Sequence, residues 1–339
     1  MKRCLALLLC AAVILCFSAC SPGAEQPSAG EPVRVGVLTD GEAIDRGVNQ
    51  QMWNALESLG EEGLALQRAY RVPGTDGSYS QCITALVQEG CELILCAQGS
   101  MSDVIQKAAL DYPEVQFVIV EGETYQQANL SSLTFASGQA AYLAGVAAGK
   151  TTESGRVACV HGRLTEETER LVAAFMAGAR SCGEDIIILR ENILGAPDGG
   201  DRAAEELVTK GVDVIFHADR TQHSAVIAAC ARNGIWAIGA WKDRSGEAQE
   251  WVLTSAVHRV DVAVQDVVRD HMDGGLTAGA RYYDLSRQGV DLVLPGLLSE
   301  KVQTSLNNTK TKLAAGEITV PETLQALAER YPEFAQTNQ

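Results

Sequence analysis

Short runs of apolar and β-branched residues alternate along the chain with longer stretches in which apolar residues recur every three or four positions. Runs of about four to eight such residues are typical of β-strands, and longer periodic stretches are typical of amphipathic helices. Several runs are apolar throughout, as in strands that helices cover on both faces. The pattern predicts strands at residues 33–38, 64–71, 93–97, 117–120, 132–135, 157–161, 186–190, 212–216, 235–239, 251–255, 281–283 and 292–294.

The stretches between these runs predict helices that join parallel strands in an α/β fold. Asn233-Gly234 is a helix stop signal, and Asp198-Gly199-Gly200 interrupts the chain before another helix. Because one ordinary open sheet rarely holds so many strands, the sequence predicts two lobes with a ligand cleft at the carboxyl ends of their strands. The predicted helices are 47–59, 78–89, 102–112, 137–150, 165–182, 201–210, 222–233 and 260–273.

One predicted helix is rich in Gly and Ala between Gly138 and Gly149. Its glycines do not lie between a strand and the start of a helix, so the segment is neither a Walker loop nor a dinucleotide fingerprint. Small residues at this density predict close packing against another helix, with phosphate binding as the alternative.

The first twenty residues have the pattern of a signal peptide. Lys2 and Arg3 precede an almost wholly apolar stretch at 5–17, and Ser18-Ala19 leads into Cys20. The sequence resembles a bacterial lipobox, in which residues 1–19 are removed and the Cys20 sulfur carries a lipid that holds the protein on the extracytoplasmic face of the cell membrane. An ordinary secretory signal is the alternative. Residues 20–32, rich in Ser, Pro, Gly and Ala, are predicted to be a flexible tether.

Loss of Lys2 and Arg3 with the signal changes the formal net charge from −16 to −18. So acidic a chain is a poor partner for nucleic acid, whose phosphates favour Lys and Arg. The six cysteines beyond Cys20 are predicted to be mostly buried small hydrophobic residues, with disulfides as the alternative. Their spacing does not predict a metal site, and no cofactor is expected.

The segment 35–45, followed by Val48-Asn49-Gln50, resembles the opening of the basic membrane protein (Bmp/Med/TmpC-like) lipoproteins of ABC transporters. The matching pieces together span almost all of the mature chain, and their order and spacing are specific. Further pieces match in the same order at 93–95, 112–113, 117–121, 132–135, 141–145, 212–217, 237–239, 252–255 and 259–263.

The resemblance implies a two-lobed type I periplasmic-binding-protein fold, with three crossovers between the lobes. Each lobe is expected to be a parallel sheet flanked by helices. We place the N-terminal lobe at 33–136 and 256–276, the C-terminal lobe at 137–255 and 277–320, and a tail at 321–339 that is either a docking helix or partly disordered. The implied partners are a small nucleoside-like ligand and the permease and ATPase of an ABC importer, and the chain is expected to be a monomer.

Characterised members of the family resemble purine-nucleoside binders, in which aromatic rings sandwich the base and polar side chains hold its edge and the ribose. Asp40 and Asn49 match the family pattern, with a turn or helix cap as the alternative. Glu121 stands where the family usually has Asp. Phe216 matches a stacking phenylalanine, with a core position as the alternative. The remaining candidate ligand contacts are Gln98 and Asp219.

Three positions depart from the family pattern. Val48 replaces a base-stacking Phe, Trp241 replaces an acid that holds the ribose hydroxyls, and His258 replaces a Lys, while Asp243 keeps an acid close by. Loss of the acid and the lysine together suggests that the ribose clamp has been replaced as a unit, since either one alone would be an unpaired buried charge. We expect Trp241 to stack on a planar ring and His258 to offer a hydrogen bond. A surface aromatic and a backbone partner are the respective alternatives.

Other classes of function have weaker support. The nearest group to a catalytic cluster is Asp213, His217, Asp219 and His223, but neither HExxH nor GxSxG is present, so we do not expect an enzyme. A lipid-anchored ligand sensor would have the same fold and cleft, so the sequence does not separate it from a transport protein. A binder of a non-nucleoside molecule and a surface protein with a decayed cleft also stay open.

Overall fold

The computed structural model describes residues 32–45, 47–97, 101–123, 125–294 and 296–336. Within these residues the chain alternates strands and helices. The strands are β1 (Val33–Leu38), β2 (Leu66–Arg71), β3 (Leu93–Cys96), β4 (Gln116–Val120), β5 (Leu130–Phe135), β6 (Arg156–His161), β7 (Ile187–Asn192), β8 (Val214–Ala218), β9 (Trp236–Trp241), β10 (Val252–His258), β11 (Gly279–Tyr283) and β12 (Val290–Val293). The helices are α1 (Gly47–Glu61), α2 (Tyr79–Gln88), α3 (Ser102–Asp111), α4 (Ser137–Thr151), α5 (Glu166–Arg180), α6 (Gly199–Thr209), α7 (His223–Asn233), α8 (Val260–Met272), α9 (Glu300–Ala314) and α10 (Leu324–Arg330).

The strands form two six-stranded sheets, one in each lobe. The first has the order β11-β5-β4-β3-β1-β2 and is parallel throughout. The second has the order β12-β10-β9-β8-β6-β7. Its strands are parallel except for β12, which pairs with β10 in the antiparallel direction. The predicted parallel sheets are therefore confirmed, and the antiparallel β12 at one edge of the second sheet is the exception.

The chain passes between the sheets three times, at Ala136, at Arg259 and at residues 284–289. The last passage explains the antiparallel edge: β11 ends at the junction of the lobes, so β12 starts there and runs away from it. It also corrects two predicted boundaries. Residues 279–283 pair with β5 in the first sheet, about 148 positions earlier in the sequence. Residues 256–258 continue β10 and pair with β9 and β12 in the second sheet.

The carboxyl-terminal region contributes two helices: α9, which the sequence pattern did not predict, and α10, which lies in the predicted tail. Helix α9 is polar and buries only Val302, Leu306 and Leu313. Helix α10 packs on α5, where Leu327 is fully buried and the backbone N–H of Leu324 donates to Glu169. The structure thus favours the docking-helix interpretation over disorder for this part of the tail.

The cores contain apolar side chains and free thiols. Cys82, Cys91, Cys96, Cys159 and Cys230 are buried, as predicted, and Cys182 is half-buried; all six are free. Burial raises the pKa of the Cys230 thiol to about 12 and that of Cys91 to about 11, so these thiols stay protonated and unreactive. None of the helices among the described residues has the length and apolarity that a membrane span requires.

Helices α4 and α5 make the tightest helix contact of the second lobe, through glycines on both sides. A Cβ at Gly145 would overlap the carbonyl oxygen of Phe175, and one at Gly178 would overlap that of Tyr142. The two backbones can approach this closely only because neither glycine carries a side chain. The predicted close packing of the Gly- and Ala-rich helix is therefore confirmed.

We expect Gly145→Ala to lower the free energy of unfolding by about 2 kcal/mol or more, because overpacking must push the two helices apart. Gly60→Ala is a matched control on α1, where an added Cβ meets nothing and alanine should stabilise by about 0.5–1 kcal/mol. Urea unfolding of both variants measures the difference. Equal effects of the two substitutions would contradict the close-contact account.

Candidate functional site

The carboxyl ends of the strands in the two sheets face each other across a cavity of about 170 Å³, here called the interlobe cavity. Both lobes supply its walls: loop and helix residues of the first lobe face loop residues of the second. The lining residues are Asp40, Gly47, Val48, Gln51, Glu121, Arg220, Trp241, Lys242, Arg244 and Val260. An adjoining cavity of about 300 Å³ shares Gly47, Gln51 and Lys242 with it.

Asp40 and Asn49 form a bonded pair between the end of β1 and the first turn of α1. The Asn49 amide donates to Asp40 Oδ1 at 2.8 Å, and the backbone N–H of Glu42 donates to the same oxygen at 3.0 Å. Asn49 is fully buried, whereas Asp40 lines the interlobe cavity. In this conformation Asn49 therefore orients Asp40, and only Asp40 faces the cavity.

Glu121 follows β4 and adopts a left-handed backbone conformation, with φ of +56°. Its carboxylate accepts a hydrogen bond from His258 Nδ1 at 2.7 Å, and His258 comes from the other sheet, at the end of β10. His258 Nε2 also lies 2.8 Å from Ser137 Oγ, within hydrogen-bond distance. The imidazole stacks on the ring of Phe135, with 4.7 Å between the ring centres. Side chains rather than the backbone hold His258, so Glu121 and His258 connect the lobes beside the crossover at Arg259.

Arg220 makes a second interlobe connection from the same carboxylate. Its guanidinium lies 3.3 Å from Glu121 Oε2 and donates to both oxygens of Glu167, at 2.9 and 3.1 Å. Glu167 belongs to the first turn of α5, in the second lobe. Arg220 therefore bridges a carboxylate of each lobe.

The pKa of Glu121 reflects these neighbours. Burial by itself would raise it, but the hydrogen bond and charge of His258, together with Arg220, lower it to about 2. Glu121 is therefore ionised throughout the physiological pH range, and it offers a ligand an acceptor and not a donor.

Trp241 ends β9 and is also in the left-handed region, with φ of +67°. Its indole N–H donates to Glu167 Oε1 at 2.8 Å, and the Arg220 guanidinium lies over its ring at 4.4 Å from the ring centre. Only 7% of the residue is exposed, so the interpretation as a surface aromatic is wrong. A non-glycine residue in this conformation costs about 1–3 kcal/mol, and such strain is commonly concentrated at ligand sites.

Four other predicted residues do not line the interlobe cavity, and one of them, His258, lines the adjoining cavity instead. Strand β8 continues to Ala218, so Phe216 does not end it; the side chain is fully buried against Phe175, and the core alternative is correct. Asp219 accepts hydrogen bonds from the loop before α7 at Thr221 and Gln222. Asp243 accepts from the backbone of Ser245 and lines the adjoining cavity. Gln98 and Cys20 lie outside the described residues.

The sequence interpretation missed three cations of the cavity wall: Arg220, Lys242 and Arg244. Each lies within three residues of a strand end, β8 for Arg220 and β9 for the other two. The general rule that ligands gather at the carboxyl ends of parallel strands would have selected all three. The family pattern instead predicts ligand contacts at acidic and aromatic residues.

The weak catalytic cluster suggested by the sequence is assembled only in part: the ring centres of His217 and His223 lie 5.9 Å apart, but Asp213 is not beside them. Asp213 lies at the amino end of β8, where it accepts hydrogen bonds from Thr152 and from the backbone of Glu153 and Ser154. His217 lies near the opposite end of the same strand and is fully buried. Among the described residues, no group of His, Cys, Asp and Glu has the arrangement of a metal site.

We expect Glu121 to make folding sensitive to acid. Its folded pKa of about 2 lies below the unfolded value of about 4.3, so its stabilising contribution is complete above about pH 5 and is lost as the pH falls toward 2. The contribution is at most about 3 kcal/mol, given about 1.4 kcal/mol per pKa unit. Glu121→Gln should lower stability at pH 7 and flatten its pH dependence between pH 5 and 2.

Urea unfolding at a series of pH values checks this, with Glu317→Gln as the control. Glu317 is exposed and forms no ion pair within the part of the chain that the structure describes. An acid profile of Glu121→Gln that matches that of the unsubstituted chain would show that the interlobe contacts of Glu121 contribute nothing.

Residues 32–324 match the Bmp family, described as PnrA-like ABC transporter substrate-binding proteins. The ABC transporter nucleoside-binding protein BmpA of Lactococcus lactis is 28% identical to this chain, over 85% of this chain and 89% of its own length. Basic membrane protein A of Borreliella burgdorferi is 25% identical, over 98% of this chain and 100% of its own length. Both relatives thus match along nearly their whole length.

Known structures are similar in fold. A transcriptional activator of the comK gene from Bacillus halodurans superposes with a TM-score of 0.72 at 24% identity, over 85% of this chain and 99% of its own. A solute-binding protein of an ABC transporter system from Conexibacter woesei superposes with a TM-score of 0.70 at 18% identity, over 86% of this chain and 99% of its own. These structures confirm the two-lobed type I fold. With the family match covering both lobes and the cavity between them, the chain belongs to the Bmp family of PnrA-like ABC transporter substrate-binding proteins.

Proposed function

We propose that this protein binds a nucleoside, or a related purine or heterocyclic ligand, in the interlobe cavity and delivers it to the permease and ATPase of an ABC importer. The observation that carries the proposal is the composition of the cavity wall. An indole ring and the carboxylates of Asp40 and Glu121 converge on one space between two lobes. The nucleoside-binding name of the Lactococcus lactis relative supports the ligand class.

The face of Trp241 provides a stacking surface. In this conformation the planar guanidinium of Arg220 covers it at 4.4 Å, a position that a flat heterocycle can occupy equally well. Entry of a base then moves Arg220 aside. Asp40 and Glu121 accept hydrogen bonds from the amino and ring N–H groups of the base or from ribose hydroxyls.

Ligand entry also requires the lobes to open. The cavity of about 170 Å³ is smaller than the roughly 300–1,000 Å³ of ordinary small-molecule sites, so the described conformation is closed. The crossovers at Ala136, Arg259 and 284–289 provide the hinge. Opening separates Arg220 from Glu121, while the Glu121–His258 contact lies next to the hinge and changes less.

The amino-terminal sequence supports the location of this activity. We propose that lipid on Cys20 and the tether 20–32 hold a monomeric binding domain at the extracytoplasmic face of the membrane. A tether of this kind lets the lobes exchange ligand with the surroundings while they stay close to the permease.

Nucleosides should raise the melting temperature of the chain that begins at Ser21, which contains both sheets and all their helices. At a hundredfold excess over the dissociation constant, a ligand that binds only the folded state adds about 2.7 kcal/mol. Trp241→Ala should weaken binding roughly ten- to a hundredfold, because stacking of a base on an aromatic ring is worth about 1–3 kcal/mol.

Trp236→Ala is the matched control for this measurement. Trp236 begins the same strand that Trp241 ends, and it packs against Trp251 away from the cavity. The control should lower the melting temperature without changing the ligand-induced increase. Equal loss of ligand response in both variants, or no response to any nucleoside or base, would contradict the proposal.

A further inference from the structure

The interlobe cavity has walls of opposite charge. Its acidic side chains, Asp40 and Glu121, come from the first lobe. Its basic side chains, Arg220, Lys242 and Arg244, all come from loops of the second lobe. Three cations against two carboxylates give the lining a net positive charge, although the whole chain carries −16. An excess of positive charge on one cavity wall of so acidic a chain indicates that this wall requires positive charge.

The three cations differ in how well the protein itself neutralises them. Arg220 is paired with Glu121 and Glu167. Arg244 is paired with Glu247 at 2.9 Å. Lys242 has no carboxylate within 4 Å among the described residues, although it lines both the interlobe cavity and the adjoining one. Within the described part of the chain, the cavity wall therefore includes an ammonium group without a carboxylate partner.

The surroundings of Lys242 make this lack of a partner costly. Burial lowers the pKa of its ammonium group, and the nearby Arg244 lowers it further, while Glu247 opposes the change. Two cations side by side in a partly dry space repel each other unless an anion lies between them.

Arg244 is also incompletely satisfied. Its side chain is only 6% exposed, and its Nε–H is buried without an acceptor in the described part of the chain. A buried guanidinium usually has acceptors for all of its N–H groups, because each unmet donor costs about 1–3 kcal/mol. An anion held beside Lys242 and Arg244 would bring acceptor oxygens to a wall on which the described residues leave these cations incompletely satisfied.

We propose that the ligand of this site carries an anionic group, a phosphate or a carboxylate, which Lys242 and Arg244 hold on the second lobe. This inference rests on the proposed function and specifies its ligand: the heterocycle lies on Trp241, its donors face Asp40 and Glu121, and its anion neutralises the opposite wall. A nucleoside monophosphate has this division of donors and charge, and so does a heterocyclic carboxylate.

Isothermal titration of the chain from Ser21 with adenosine, guanosine, their 5′-monophosphates and orotate tests the proposal. We expect a monophosphate to bind about tenfold to a hundredfold more tightly than its nucleoside, as charge-assisted hydrogen bonds predict. Lys242→Gln should remove most of this preference. The control is Lys107→Gln, which replaces an exposed lysine on α3 and should change neither the affinity for nucleosides nor the preference for monophosphates. The melting temperatures of both variants without ligand verify that they are folded.

The outcomes separate this inference from the proposed function. If nucleosides bind as tightly as their monophosphates, the proposal of an anionic group is wrong, whereas the proposed nucleoside binding stands. Binding of orotate alone, lost in Lys242→Gln, would support the anionic group and overturn the nucleoside assignment. A monophosphate preference that survives Lys242→Gln would overturn the role of Lys242, and no binding to any of these compounds would overturn both proposals.

Discussion

The two sheets meet at the carboxyl ends of their strands because the chain passes between them three times, and everything at the cavity depends on this constraint. Parallel strands place their following loops at one edge of each sheet. The crossovers then bring the two edges face to face, and residues far apart in sequence become neighbours. Glu121 and His258, separated by 137 positions, form a hydrogen bond for this reason.

The loops at this junction combine strain with charge. Glu121 and Trp241 both leave their strands in the left-handed conformation, a cost that the two packed cores offset. Partners on the second lobe hold both side chains. His258 and Arg220 bind Glu121, and Glu167 binds Trp241. Contacts between the two lobes thus involve the same groups that we propose face a ligand, so the proposed ligand would compete with Arg220 for its place over Trp241.

The sequence predicted the strands well because most of them are buried on both faces and read as unbroken apolar runs. It failed where the signal is weak or not local. Helix α9 has only three buried side chains, so its periodicity is lost among polar residues. The lobe of β11 depends on its pairing with β5, more than 140 residues earlier, which no local pattern reveals.

Prediction of the site was uneven for related physical reasons. Asp40, Glu121, Trp241 and His258 follow or end strands, and position alone brought them to the junction. The prediction for Phe216 was wrong because the strand continues two residues further than its apolar run indicated. Arg220, Lys242 and Arg244 lie in the same kind of loop, but their importance depends on which carboxylates are near them, and this is a property of the folded chain.

The free cysteines have a consequence for folding in the extracytoplasmic location proposed above. Since none of the six described thiols is bonded to another, packing, hydrogen bonds and ion pairs hold the described part of the fold together, and a reductant has no disulfide to break among these six cysteines. An unfolded chain with six exposed thiols in an oxidising compartment would form wrong disulfides, which the native core prevents by closing around them. In the extracytoplasmic location proposed above, rapid closure of each core around its thiols would therefore favour a high yield of correctly folded chain.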